Sequence, residues 1–131
     1  MSRVSHIRRA ALWVPPIVYM ALIFRFSGES NPLPELTARV WDKFLHTSEY
    51  GGLAFLFCRA LMGEGVAGFV AACGAVLLTS VYGASDEYHQ IFVPLRSPDF
   101  ADWFADTIGA AVGATIYLLA RQAWRRKPST A

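Results

Sequence analysis

The sequence predicts an all-α fold, an integral membrane bundle of four transmembrane helices with both termini cytoplasmic. Three observations carry that prediction. The 131 residues are 54% hydrophobic and only 17% charged, against about 25% charged in an ordinary soluble domain. The apolar residues are gathered into four blocks, each near the roughly 20 residues a helix needs to cross a bilayer. The basic residues, finally, sort to one side of those blocks. Four such spans use most of the chain, so a single membrane domain over residues 1–131 is expected, with no separate soluble domain.

The first block follows Arg3, His6, Arg8 and Arg9, with no acid before it. A basic stretch ahead of an apolar core is also the pattern of a secretory signal. Here Pro15-Pro16 interrupts the core and no small-x-small cleavage site follows Phe24-Arg25-Phe26, so an uncleaved span over roughly 10–27 is expected. Residues 28–39 are polar and carry two prolines, which reads as a loop. Pro34-Glu35 suits the opening of a short interfacial helix, and Trp41 suits an aromatic belt at the membrane surface.

The second span, roughly 41–62, is polar in its first third, with Asp42, Lys43, His46, Glu49 and Tyr50, and apolar from Leu53 to Leu61 except for Arg59. Gly63-Glu64-Gly65 makes a tight turn into the third span, roughly 66–91. That span opens with the apolar run Val66 to Ala84 and ends on Ser85-Asp86-Glu87-Tyr88-His89-Gln90. A charge near the bilayer centre costs on the order of 2.5–3.5 kcal/mol, so this polar end belongs near the water boundary. Pro94 and Pro98 stiffen the next loop, with Ser97 as the expected N-cap and Pro98 at the first helical position of a fourth span over roughly 98–120. Cys58 and Cys73 sit inside apolar blocks and read as free packing residues rather than a disulfide framework.

Four spans put both termini and the Gly63-Glu64-Gly65 turn on one side. That side holds Arg3, Arg8, Arg9, Arg59, Arg121, Arg125, Arg126 and Lys127, eight of the twelve Lys+Arg, and the other side holds Arg25, Arg39, Lys43 and Arg96. The basic side is the cytoplasmic one. Of the acids only Glu64 falls inside, and the rest lie toward the outer face.

Helical spacing groups the polar residues by face, since neighbours on a face lie three or four apart. Asp42, His46, Glu49 and Tyr50 share a face of the second span, and Asp86 and Glu87 share one with Gln90 on the third. Asp99, Asp102 and Asp106 share a face on the fourth, continued by Gly109 and Gly113. Gly109-x-x-x-Gly113 is a small-xxx-small pattern that admits a neighbouring helix closely, which turns the acidic stripe into the bundle. These residues are expected to form an acidic pocket open to the outer face, with Arg96 and Lys43 as the cations in reach.

The same residues resemble the VanZ-like family of bacterial membrane proteins. Asp42-Lys43-x-x-His46-x-x-Glu49-Tyr50-x-x-Leu53 is similar to that family's DKxxHxxxYxxL segment. Tyr82-Gly83-x-x-Asp86-Glu87-x-x-Gln90-x-Phe92-x-Pro94-x-Arg96 is similar to its YGxxDExxQxFxPxR segment, and Asp102-x-x-x-Asp106-x-x-Gly109-x-x-x-Gly113 follows in order. Phe26-Ser27 resembles the end of the family's first span, and the family often carries asparagine where this chain has Asp106. The resemblance implies a multipass protein of the bacterial cytoplasmic membrane, linked through the family's namesake to glycopeptide (teicoplanin) resistance. It supplies no reaction.

The expected function is binding or processing of a lipid-linked or cell-envelope molecule in the outer pocket. The ligand-binding candidates are Asp42, Lys43, His46, Glu49, Tyr50, Asp86, Glu87, Gln90, Arg96, Asp102 and Asp106. If chemistry occurs there, Asp86, Glu87 and His46 are the catalytic candidates. A divalent metal is a candidate cofactor on His46, Asp86, Glu87 and Asp102, because carboxylates suit hard cations and imidazole suits zinc. Arg96 is expected to meet Asp99 or Asp102. Membrane lipid, a lipid-linked cell-wall intermediate and further copies of the chain are the candidate partners, and nucleic acid is not. The alternatives are a small proton- or cation-linked transporter and a non-catalytic structural membrane protein.

Overall fold

The computed structural model describes residues 3–28 and 37–126, with residues 3–4 and 37–42 described by backbone alone. They form four helices, α1 (Arg3–Ser27), α2 (Thr37–Gly63), α3 (Gly68–Gln90) and α4 (Phe100–Arg125), and no strand occurs among the described residues. At 1.5 Å per residue the helices are about 35–40 Å long. The interfacial segment expected at Pro34-Glu35 lies outside the described residues.

α1, α3 and α4 are long and apolar enough to cross a membrane, and α2 is not among them. The packing accounts for the difference. α2 lies against each of the other three helices, while α1 and α4 do not meet among the described residues. Tyr50, Leu53, Ala54, Phe57, Cys58 and Ala60 of α2 are all buried. This helix therefore spends its apolar residues on protein and tolerates Lys43, His46 and Glu49 at one end. The outer helices show the opposite pattern: Val14, Ile17 and Val18 of α1, Leu77 and Val81 of α3, and Ile108, Val112 and Ile116 of α4 are exposed, while Ala71, Ala75, Ala110 and Ala114 face inward. Large apolar side chains outside and small ones inside suit a bundle packed in lipid.

Pro15 and Pro16 do not break α1, which runs through them. Pro15 has no N–H, so the Ala11 carbonyl four residues earlier loses its helical donor. Arg59 Nη1 of α2 donates to that carbonyl at 3.2 Å. The neighbouring helix thus satisfies the backbone group that proline frees.

The α2–α3 turn follows directly from its glycine. Gly65 has φ +96°, Val66 N–H donates to Leu61 O at 3.1 Å and Gly65 N–H to Met62 O at 3.1 Å. That pair of bonds, with glycine in the left-handed position, is the Schellman ending of a helix. Glu64 in this turn is held by α1, through Arg9 Nε at 3.2 Å and Trp13 Nε1 at 3.2 Å. At the other end, the cap of α4 differs from expectation. Asp99, not Ser97, is the N-cap: its Oδ1 accepts the Ala101 N–H at 2.8 Å, and the helix begins at Phe100 rather than Pro98. A carboxylate two residues ahead of an orphan N–H makes a strong cap, and Asp99 N–H in turn donates to Glu87 Oε2 at 2.9 Å, which ties the loop back to α3. Cys58 and Cys73 are both free.

Candidate functional site

The polar residues gather at the end of the bundle where α1 and α3 finish and α2 and α4 begin. Glycine makes the gathering sterically feasible. A Cβ on Gly113 would overlap the Gly51 carbonyl oxygen, and one on Gly109 would overlap the Thr47 carbonyl oxygen. The backbones of α2 and α4 therefore touch, with no room for a side chain between them. Gly83 of α3 does the same for a ring: a Cβ there would sit 3.1 Å from Tyr50 Cε1 and 3.6 Å from Trp103 Cδ1.

Into the space so made, Tyr50 Oη donates to Asp86 Oδ2 at 3.0 Å. Gln90 Nε2 donates to the Ser27 hydroxyl at 3.1 Å and lies 3.4 Å from Asp86 Oδ2. A chain of hydrogen bonds thus joins α2, α3 and α1. Asp86 and Gln90 are 2% and 4% exposed, and Ser27 is 5% exposed, so these bonds form away from water, where an unmade bond is costly. Asp106 is also buried, at 2% exposure. Glu87, Asp102, Asp86 and Glu49 all lie within electrostatic reach of it. Its Oδ1 and the Oδ1 of Asp86 make no hydrogen bond among the described residues.

The remaining expected residues separate into two groups. Lys43 Nζ pairs with Asp102 Oδ1 at 3.4 Å, so α2 supplies a cation beside Asp102. Glu87 receives the Asp99 N–H and serves the loop. The second group surrounds a cavity of about 220 Å³ lined by Phe26, Ser27, Leu45, His46, Glu49 and Arg96. His46 stacks parallel to Tyr50, with ring centroids 6.4 Å apart and planes at 11°, and this sets the imidazole at the cavity wall. The side chain of Asp42 lies outside the described residues.

The acidic pocket expected as one space is therefore two layers. One is a sealed layer in which Tyr50, Asp86 and Gln90 are hydrogen-bonded, with Asp106 buried beside them. The other is an open cavity of mixed charge. Ser27 belongs to both, since it accepts from Gln90 and lines the cavity. The four residues considered as metal ligands, His46, Asp86, Glu87 and Asp102, do not converge: no three or more His, Cys, Asp or Glu among the described residues are placed to hold a metal ion.

Several positioning groups carried little signal in the sequence. Tyr82 Oη donates to Met20 O at 2.6 Å, Trp103 Nε1 donates to Ser80 O at 3.0 Å, and the Ser80 and Thr107 hydroxyls are 2.9 Å apart. Polar groups in a membrane segment bond neighbouring helices, and that general tendency is the signal that points to them.

Four antiparallel helices, three of them apolar enough to span a bilayer, with polar residues buried at one end, define a helical bundle of membrane-protein type. The chain belongs to the VanZ/LLP1 family, whose model matches residues 3–121. No curated protein and no solved structure matches it.

Proposed function

We propose that the protein binds or processes a lipid-linked or cell-envelope molecule through the cavity beside Arg96, at the outer face of the bacterial cytoplasmic membrane. The observation that carries this reading is the cavity's composition. A guanidinium, an imidazole, a carboxylate and a hydroxyl surround about 220 Å³ of space, and Phe26 and Leu45 line the same space. Arg96 suits a phosphate or carboxylate, which a guanidinium can grip with two parallel bonds. Glu49 suits a hydroxyl or amine of the same headgroup. Phe26 and Leu45 are exposed on the helix surfaces, and they offer an apolar lip to the lipid part. The deeper core, with Leu53, Phe57, Cys58, Ala75 and Ala114, is apolar, which favours work at one end over passage of an ion through the bundle. The test is to purify the protein in a mild detergent and identify co-purifying lipids by mass spectrometry. Wild type and Lys43→Gln should retain a headgroup-bearing lipid that Arg96→Gln and His46→Ala lose. Equal retention by all four would remove the cavity as the binding site.

The same reading places all four helices across the membrane with both termini cytoplasmic. α2 is as long as its neighbours and packed on all three of them, so a bilayer that they cross surrounds it too. Arg8, Arg9, Arg121, Arg125 and Arg126 share the end that should face the cytoplasm. In a variant with Cys58 and Cys73 replaced by serine, Ser97→Cys should react with an impermeant thiol reagent on intact cells and Glu64→Cys should not. The reverse pattern would put the cavity inside.

A further inference from the structure

At the opposite end of the bundle lies a second cavity, of about 390 Å³, lined by Met62, Gly68, Phe69, Leu118, Arg121, Gln122 and Arg125. Its volume is within the roughly 300–1,000 Å³ of small-ligand sites. Two features distinguish it from a packing gap. The first is uncompensated positive charge. Three other basic residues of this end are occupied: Arg9 pairs with Glu64, Arg8 donates to Gly63 O, and Arg59 donates to Ala11 O, while Arg126 lies outside the cavity lining. Arg121 and Arg125 make no ion pair or hydrogen bond among the described residues, and Glu64, the acid of this end, already serves Arg9. Arg121 is half-buried, and Arg125 stands one turn further out on the same face of α4.

The second feature is what surrounds the arginines. α3 begins at the cavity wall with Gly68, and its N-cap, Ala67, offers no capping side chain. The first-turn N–H groups of α3 therefore point along the axis toward this end without a side-chain acceptor, and the helix dipole adds positive potential there. Beside them the lining is apolar: Met62, Leu118 and Phe69, the last 79% exposed on the outside of the bundle. A ligand matching this wall is anionic at one end and hydrocarbon at the other.

We propose that this cavity is a binding site for an anionic phospholipid. The phosphate lies between Arg121, Arg125 and the start of α3, Gln122 bonds the headgroup, and an acyl chain leaves past Phe69 and Leu118 along the outside of α3 and α4. Basic pockets between membrane helices take anionic headgroups in this manner. The site is remote from the cavity beside Arg96 and does not depend on the function proposed for that cavity.

The experiment uses the full chain in a neutral detergent, titrated separately with phosphatidylglycerol, phosphatidylcholine and inorganic phosphate. Thermal melting and native mass spectrometry give the binding. Phosphatidylglycerol should raise the melting temperature and appear as a bound mass at concentrations where phosphatidylcholine and inorganic phosphate do neither. Arg121→Gln combined with Arg125→Gln should weaken phosphatidylglycerol binding by roughly ten-fold or more. Arg126→Gln removes the same kind of charge outside the cavity and should leave the affinity unchanged. Melting of the lipid-free variants checks that they fold, and Arg125→Gln alone, at an exposed residue, carries the test if the double variant does not. Unchanged phosphatidylglycerol affinity in the cavity variants overturns the proposal. So does an equal loss in Arg126→Gln, which would mean a diffuse basic surface, and so does equal stabilisation by inorganic phosphate, which would mean a free-anion site.

Discussion

Gly113→Ala is expected to destabilise the bundle by about 3 kcal/mol or more, and Gly113→Leu to prevent folding. Two effects oppose each other at this position. Alanine is intrinsically better in a helix by about 1 kcal/mol, so the substitution would stabilise an exposed helix. Here the added methyl would overlap the Gly51 carbonyl oxygen and approach Gly51 C and Cα to 2.6 and 2.8 Å. Those atoms are backbone and cannot swing away, so α2 and α4 must separate along their whole contact. Steric overlap wins. Gly68→Ala is the control, because its Cβ would meet Leu118 and Met62 at 3.5 Å, which is ordinary van der Waals contact. Melting in detergent should fall steeply for Gly113→Ala and hold for Gly68→Ala. Equal behaviour of the two would mean that α2 and α4 do not cross at Gly51.

The next largest effect is expected from Asp86→Ala. It removes the oxygen that accepts from Tyr50 and lies beside Gln90 Nε2, and strands the Tyr50 hydroxyl in a site buried from bulk solvent. Hydrogen bonds between membrane helices average about 0.6 kcal/mol and reach about 1.7, while stranding a buried donor adds about 1–3 kcal/mol. A loss of about 3 kcal/mol follows. Asp86→Asn keeps an oxygen for Tyr50 and should lose about 1 kcal/mol, as should Tyr50→Phe, which removes a single bond. In a double-mutant cycle, Tyr50→Phe should cost little once Asp86 is already alanine. Strict additivity of the two losses would show that the 3.0 Å contact carries no coupling.

Much of this arrangement is legible in the chain. The four expected spans differ from the four helices by a few residues at most ends, because apolar blocks bounded by glycine, proline and charge are a one-dimensional signal. The inward turn of Asp106, Gly109 and Gly113 was also legible, since a spacing of three and four puts them on one face and only small residues permit close approach. The start of α4 was not. Ser97-Pro98 and Asp99 are both sound caps by local rules, and the choice of Asp99 rests on the Glu87 carboxylate twelve residues away, which accepts its N–H.

By itself the sequence determined that the chain is helical, where its helices lie, and that its polar residues belong to one end. These follow from hydropathy and spacing, which are properties of neighbours along the chain. Which polar residues would meet was decided only by the tertiary structure. Lys43 of α2 stands against Asp102 of α4, and Ser27, the last residue of α1, closes the chain from Tyr50 through Asp86 and Gln90. The division of the acids into a sealed layer and an open cavity was decided there too. The physical reason is that helical periodicity fixes the face of a side chain but not the rotation and height of one helix against another. Those are set where Gly51 meets Gly113 and Thr47 meets Gly109, a contact between residues about sixty positions apart whose geometry neither segment specifies alone.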